Sequence, residues 1–385
     1  MSVNIEVNSE VLKWGIKVSG KNYNQVKEKF KKIDNWMKNE SSPTFNQLEQ
    51  LSSYLNLPFG YLLLDTPPKE DIELLNFRTI DSEEHGEPSR ELIDTIYDME
   101  TKKEWMREFL IEEGYAKNSI VNSINLEDDF NVSSNKIREI LGLPIEWYLE
   151  KKAKDSFNYL KDLISYNGIL IMQNGIVKNN TRRRLDINEF RAFCLIDDYA
   201  PLIFLNNRDS INGKKFSLMH ELVHIALGKQ NIFNDNNEFR HKYDKIETYC
   251  NKVAAELLIP TDKFYDKWKN GLEKILVDKI YSLSKYFQSS NVVVARKALD
   301  NDFIDKEIYN KVVKEAKHSY EISLKKRKSG GNYINNTIAK LDNNFTLAIS
   351  SGVEKGSTLY SDIYKLTGLK RGTFDEVINR LEGKH

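Results

Sequence analysis

One largely apolar stretch of this chain contains histidine and glutamate side chains, which are costly to bury in a helix unless they bind a partner. Residues 216–228 read FSLMHELVHIALG, in which His220, Glu221 and His224 form the pattern H-E-x-x-H. Helical spacing places both histidines on one face, one turn apart. Because unpaired buried polar groups cost a few kcal/mol each, the stretch predicts a buried helix that binds a metal ion, with Glu221 close to the same ion. Taken alone, the pattern also fits a surface helix with incidental histidines.

A second helical stripe, residues 247–260 (ETYCNKVAAELLIP), supplies the missing ligand. Catalytic zinc commonly has three protein ligands and an open position for water, so we expect Glu247 to be the third. Asn251 lies one turn further along, where it can hold an imidazole by its second nitrogen. A capping box with Asp244 is the plainer alternative for Glu247. Cys250 is expected to be a small buried apolar residue rather than a ligand.

These stretches resemble the ImmA/IrrE family of metallo-endopeptidases, a gluzincin-like group. The resemblance is carried by HELVH, by E-x-x-C-N-x-V-A-A-E-L-L-x-P and by FRAFCLIDDYAPLIFLNNRDS at 190–210, and it covers about 160–300. It implies a Zn²⁺ cofactor with His220, His224 and Glu247 as ligands and Glu221 as catalytic base. It also implies regulatory proteins as substrates, often helix-turn-helix repressors.

The polar segment 229–245, between the two helices, is predicted to be a loop. His241 and Tyr243 lie on it and are candidate donors to the oxyanion of a cleaved carbonyl, although an exposed loop with no such role is the plainer interpretation. His241 is also a rival third ligand, because histidine commonly binds zinc.

Residues 190–196 and 202–205 predict strands, and one of them is our candidate for an edge strand that holds an extended substrate by backbone hydrogen bonds. Arg182, Arg183 and Arg184 are predicted to lie on a loop between strands. Further upstream, 145–166 predicts a helix rich in aromatic side chains, which we expect to serve packing.

Residues 1–66 predict short helices around a small core, a pattern typical of helix-turn-helix domains, and they resemble an XRE-type repressor domain. Phe45 is expected to point inward. Lys27, Lys31 and Lys32 are candidate nucleic-acid or partner contacts, or simply a solvated face. With eight basic and seven acidic residues, the segment lacks the usual basic footprint, so we favour protein docking or a structural role over DNA binding.

The fold class predicted is α+β and predominantly helical. We divide the chain into a helix-turn-helix-like bundle (1–66), a helical linker or docking region (67–165), a gluzincin-like peptidase domain with a small sheet (166–317) and a small helical module (318–385). The last segment carries 11 basic and seven acidic residues, which suits partner recognition or weak nucleic-acid binding.

Charge and composition exclude several classes of protein. Lys and Arg total 57, as do Asp and Glu, so there is no overall basic field for nucleic acid or acidic membranes. Two cysteines cannot form a disulfide framework. The first residues lack a secretory pattern, and no apolar run reaches bilayer length. We expect a cytoplasmic protein with no membrane partner.

The function predicted is a zinc-dependent endopeptidase that cleaves a specific regulatory protein, a repressor or antitoxin encoded nearby. One alternative is the toxin component of a toxin–antitoxin or phage-defence system. Another is a DNA-binding regulator with a zinc sensor site. Glu221 favours the peptidase and toxin over the sensor, because a structural zinc site needs no base and usually closes its fourth position with Cys or His.

Overall fold

The computed structural model describes residues 4–68, 76–77, 88–228, 237–271, 273, 275–326 and 333–383, with the backbone alone at 76–77, 237–244, 324–326 and 333. The chain divides into two compact units. The first unit is Met1–Glu73 with Glu84–Tyr97, and the second unit is Leu74–Glu83 with Asp98–His385. Described helices far outnumber strands, which confirms a predominantly helical chain with a small sheet. The four domain boundaries given above stay predictions.

The first unit is built from short helices around one apolar core. These helices are α1 (Ser9–Val18), α2 (Tyr23–Lys29), α3 (Ile33–Met37) and α4 (Phe45–Leu55), followed by a 3-10 turn at Phe59–Leu63. A capping box between Thr44 and Gln47 begins α4. The prediction for Phe45 is wrong: its side chain is 48% exposed, because it occupies the first helical position, outside the stripe that packs on the core.

The second unit contains the remaining helices, apart from the first residues of α5, which belong to the first unit. They are α5 (Arg90–Glu112), α6 (Phe130–Leu141), α7 (Ser156–Tyr166), α8 (Ile211–Leu227), α9 (Asn237–Leu258), α10 (Thr261–Asn270), α11 (Leu276–Tyr286), α12 (Asn291–Asp300), α13 (Lys306–Lys326), α14 (Tyr333–Lys340), α15 (Asn343–Lys355), α16 (Tyr360–Thr367) and α17 (Arg371–Glu382). Instead of one helix at 145–166, the chain forms a 3-10 turn at Trp147–Leu149 and then α7. Within the described ranges, every helix is too short or too polar to cross a bilayer.

A small mixed sheet lies against α8. Its strands are β1 (Asn76–Phe77), β2 (Leu170–Asn174), β5 (Ala192–Leu195) and β6 (Leu202–Asn206), in the order β1-β5-β6-β2. Strands β2 and β6 pair in parallel, whereas β5 is antiparallel to both β1 and β6. The prediction of a free edge strand is wrong for β6, because β6 lies between β5 and β2. Strand β5 pairs on its other side with β1, at Phe193 and Cys194.

A two-stranded hairpin follows β2, formed by β3 (Ile176–Val177) and β4 (Asn180–Arg184). The predicted loop position of the three consecutive arginines is therefore wrong, because they lie on β4. The strand has a mostly exposed burial pattern, which explains why its sequence lacks the apolar residues that usually mark a strand.

Candidate metal centre

Helix α8 presents the H-E-x-x-H residues from inside the second unit. Ser210 begins the helix by accepting a hydrogen bond from the Gly213 N–H, and Gly228 ends it in a left-handed conformation. Every residue from 214 to 227 is buried, because the sheet, α7 and α9 all pack on this helix. His220 and His224 are each 1% exposed and Glu221 is fully buried. A helix that is largely apolar on all sides belongs in a core, and His220, Glu221 and His224 are polar groups in the C-terminal half of this one.

Helix α9 supplies Glu247, and its C-terminal end is fixed by side chains from elsewhere in the unit. The Arg138 guanidinium donates to the backbone oxygens of Glu256 at 3.0 Å and Leu257 at 2.8 Å. Trp147 Nε1 donates to the oxygen of Leu258 at 3.2 Å. These are carbonyls of the last turn, which have no partner within a helix. The contacts set the rotation of α9 and hence the face on which Glu247 lies.

Three side chains converge on one point. Glu247 Oε2 lies 3.1 Å from His220 Nε2, and Glu247 Oε1 lies 3.1 Å from His224 Nε2. The two Nε2 atoms are themselves 3.1 Å apart. Among the described residues, His220, His224 and Glu247 are the group whose ligand atoms lie close enough together to hold a metal ion.

Electrostatics tie the three groups together. Burial alone would raise the pKa of Glu247, but the neighbouring His220 and His224 more than offset this and hold the pKa well below its ordinary value. Burial would lower the pKa of His224, but Cys250 and Glu247 raise it well above 6.5. Both directions show how strongly this pocket favours a positive charge beside the carboxylate.

The donor set fits a tetrahedral metal ion. Each Nε2 atom carries either one hydrogen or one lone pair, yet each faces two neighbours, the other imidazole and a carboxylate oxygen. Hydrogen bonds alone cannot satisfy both contacts at each nitrogen. An ion bound tetrahedrally at about 2.0–2.1 Å separates its ligand atoms by about 3.3 Å, close to the spacing observed. Two imidazoles and a carboxylate are also a donor set that suits zinc.

The residues beside the ligands differ in part from expectation. Cys250 is fully buried and lies against the His224 ring, where burial raises the pKa of its thiol and both Glu247 and Glu221 add to that rise. Asn251 Oδ1 is buried but accepts no hydrogen bond within the described chain, so the structure does not show the expected bond to an imidazole. The contact of Cys250 with His224 could have been inferred from the sequence, because Cys250 lies three residues after Glu247 and therefore on the same helical face.

The remaining candidates lie on α9 and in the first unit. The backbone of His241 and Tyr243 belongs to α9, so the predicted loop at 229–245 is wrong from residue 237 onward, and both side chains lie outside the described ones. In the first unit, Lys27 Nζ lies 2.6 Å from Asp34 Oδ2, and Lys31 and Lys32 are exposed.

Family models match the centre and the C-terminal end of the chain. Residues 164–299 match the peptidase M78 family, whose model is described as an IrrE N-terminal-like domain. Residues 341–380 match a domain of unknown function, DUF8813. No curated protein and no solved structure matches the chain. The first match supports the resemblance to ImmA/IrrE proteins and a metallopeptidase of that type at 164–299, whereas the XRE-like character of residues 1–66 stays a prediction.

Proposed function

We propose that this protein is a zinc-dependent endopeptidase whose metal ligands are His220, His224 and Glu247. The observation that carries the proposal is the close approach of the three side chains: each imidazole Nε2 lies 3.1 Å from the other and 3.1 Å from one oxygen of Glu247. Zinc bound there supplies a Lewis acid that lowers the pKa of a water molecule and stabilises negative charge on a peptide carbonyl oxygen. The match to a metallopeptidase family over the same residues supports this assignment.

Glu221 is the general base of the proposed reaction. It directly follows a ligand on α8, and its carboxylate is fully buried, near enough to Cys250 to raise the pKa of that thiol. We assign to Glu221 the proton of the attacking water, which it then delivers to the amine that leaves as the peptide bond breaks. The carbon–nitrogen bond is cleaved, a carbon–oxygen bond forms, and no oxidant or reductant is needed.

The substrate class we propose is a folded regulatory protein, a repressor or antitoxin encoded near this gene. The support is the resemblance of the central segment to ImmA/IrrE peptidases, together with a chain that continues on both sides of residues 164–299, with a second matched segment at 341–380. Such flanking segments are suited to selecting a protein rather than a free peptide.

The test separates metal binding from chemistry. The full chain, loaded with zinc, is incubated with a peptide library and with the product of the adjacent gene, and new amino termini are identified by mass spectrometry. We expect wild type to hold one zinc ion and to cleave, and Glu221→Gln to hold zinc but not cleave. His224→Ala should lose both properties.

Glu139→Gln is the matched control, because it makes the same chemical change on an exposed residue of α6. It should bind zinc and cleave like wild type. Full activity in Glu221→Gln would exclude the assigned base. Wild-type chain that binds no zinc at micromolar concentration would exclude the proposed cofactor.

A further inference from the structure

The basic hairpin formed by β3 and β4 contacts the C-terminal helical module through Asn179, which accepts a hydrogen bond from Lys340 of α14 and also reaches the turn after α16. Asn179, at the tip of the hairpin, donates from Nδ2 to the backbone oxygen of Gly368 at 3.1 Å. Gly368 has φ of 70°, and a Cβ atom at this position would lie 2.4 Å from Asn179 Nδ2. The backbone conformation therefore favours glycine here, and any larger residue would also displace the Asn179 side chain.

The turn containing Gly368 joins two helices in the manner of a helix-turn-helix. Three residues separate the end of α16 at Thr367 from the start of α17 at Arg371, and Leu369 among them is buried. Helix α17 packs on α14, α15 and α16. Its inward face holds Phe374, Val377, Ile378 and Leu381. In helix-turn-helix domains, two helices are joined by a short turn that often contains glycine, and the second helix is presented to a DNA groove. Helices α16 and α17 have this arrangement.

The hairpin and the turn are both basic segments. The hairpin segment 176–184 has four basic residues and the turn segment 365–373 has three, and neither has an acidic one. Six of these seven side chains are exposed: Lys178, Arg182, Arg184, Lys365, Lys370 and Arg371. We call these six residues the hairpin–turn surface. A local basic surface matters for nucleic-acid binding even where the net charge of the chain is zero.

For members of the hairpin–turn surface, the structure describes two ion pairs with acidic side chains, and both are long. Lys178 lies 3.9 Å from Asp98, and Arg371 lies 3.9 Å from Asp375. Pairs of this length in which the cation is exposed contribute little, so the cations stay available to phosphates. The Arg371 guanidinium also lies 4.2 Å from the ring centre of Tyr360, and Tyr360 and Tyr364 are 51% and 63% exposed. Tyrosine hydroxyls are common donors to phosphate oxygens.

Hydrogen bonds fix the C-terminal helical module to β2, the strand that directly precedes the hairpin. Gln173 Nε2 on β2 donates to the oxygen of Ala339 at 2.7 Å. The N–H of Ile171, on the same strand, donates to Asp342 Oδ2 at 3.1 Å, and the Asp342 side chain is buried. Polar contacts of this kind fix the register of two elements because each broken one costs the desolvation of a buried group. The hairpin and the turn therefore act as one surface.

From these observations we propose that the hairpin–turn surface binds double-stranded DNA, with its basic side chains on the phosphates and the start of α17 directed at a groove. This activity goes beyond the proposed peptidase function and does not depend on the metal centre. It would bring the peptidase to DNA, where a DNA-bound regulatory protein is found.

Binding is tested with the full chain and a fluorescein-labelled 30-base-pair duplex of mixed sequence, by anisotropy between 50 and 200 mM NaCl. Six phosphate contacts predict a slope of log K against log salt of about −5, and about a thousandfold loss of affinity over that range. Arg182→Gln/Arg184→Gln/Lys370→Gln should flatten the slope by about 3 and weaken binding at least tenfold at 50 mM NaCl.

The matched control, Lys136→Gln/Lys152→Gln/Lys154→Gln, removes the same charge from three other exposed positions and should bind like wild type. Glu221→Gln should also bind like wild type, which separates this proposal from the peptidase. Thermal melting of both triple variants checks that they fold. The proposal is overturned if wild type does not bind the duplex at 50 mM NaCl, if it binds only single-stranded RNA, or if the two triple variants bind equally well.

Discussion

Lys297 Nζ lies 2.6 Å from Glu256 Oε2, and both side chains are buried. Glu256 is on the last turn of α9, where it also accepts a hydrogen bond from the Thr261 N–H at 2.8 Å. Lys297 is on α12 and donates to the backbone oxygen of Ile259 as well. Burial lowers the pKa of Lys297 despite the opposing effect of Glu256. The pair therefore ties the end of the helix that carries Glu247 to α12 at a large desolvation cost.

Removing one partner of this pair should destabilise the fold strongly. Glu256→Ala leaves a buried ammonium without its carboxylate, and we expect a loss of about 3–5 kcal/mol in the free energy of unfolding. Chemical denaturation followed by circular dichroism measures it. Asp300→Ala breaks the exposed pair with Arg296 and should cost less than about 1 kcal/mol. Equal losses in the two variants would contradict a special role for the buried pair.

Lys215 should make the stability of the protein rise with pH in the alkaline range. Its ammonium donates to Ser156 Oγ at 3.1 Å and to the Gln288 backbone oxygen, and burial lowers its pKa from 10.5 to about 8. Between these two values the unfolded chain binds more protons than the folded chain, so the free energy of unfolding rises with pH. The contribution of this residue across the window is about 3 kcal/mol.

Lys215→Met isolates that contribution, because every other titrating group stays in both proteins. The free energy of unfolding is measured from pH 7 to pH 10.5 for wild type and variant. We expect the variant to be favoured most near neutral pH and its advantage to shrink as the pH rises through 8. Lys154→Met, at an exposed position, should run parallel to wild type. A difference between wild type and Lys215→Met that does not change with pH would rule out the depressed pKa.

The elements around the metal centre could be predicted because their sequence signals are local. H-E-x-x-H and Glu247 each lie on a helix with clear periodicity, and helical spacing alone places both imidazoles on one face. The donor distances could not be predicted, because they depend on how α9 is anchored by Arg138 and Trp147, which come from sequence more than 100 residues away. Long-range contacts of this kind leave no periodic pattern.

The errors in the sequence predictions share a physical cause. Strand β4 contains three consecutive arginines, and its cross-strand pairing with β3 rather than apolar burial makes it a strand. Phe45 is apolar but occupies the first helical position of α4, outside the stripe that packs on the core, and its side chain is largely exposed. In both cases the position of the residue in its element, rather than its type, decides the outcome.

Asp342 should contribute to the stability of the whole second unit rather than of the C-terminal module alone. Its Oδ2 accepts hydrogen bonds from Ser165 Oγ at 2.6 Å and the Ile171 N–H at 3.1 Å, while Oδ1 accepts from the first turn of α15. Asp342→Ala removes a helix cap and leaves buried donors unsatisfied, at a cost of about 2–4 kcal/mol.

Hydrogen exchange locates that effect. We expect faster exchange of the β2 amides as well as those of α15 in Asp342→Ala. Asp375→Ala, an exposed position paired only loosely with Arg371, should leave both regions unchanged. Faster exchange confined to α15 would show that the module is an independent unit, contrary to this prediction.

Metal binding should stabilise the folded chain, because the three donor atoms come from two helices that are apart in the unfolded state. At zinc concentrations about a hundredfold above the dissociation constant, the gain is about 3 kcal/mol. Thermal unfolding should show a rise in Tm for wild type and for Glu221→Gln, and EDTA should reverse it. Glu247→Ala removes the ligand that joins α9 to α8, so its Tm should not respond to zinc. An equal response in Glu247→Ala and wild type would place the ion elsewhere.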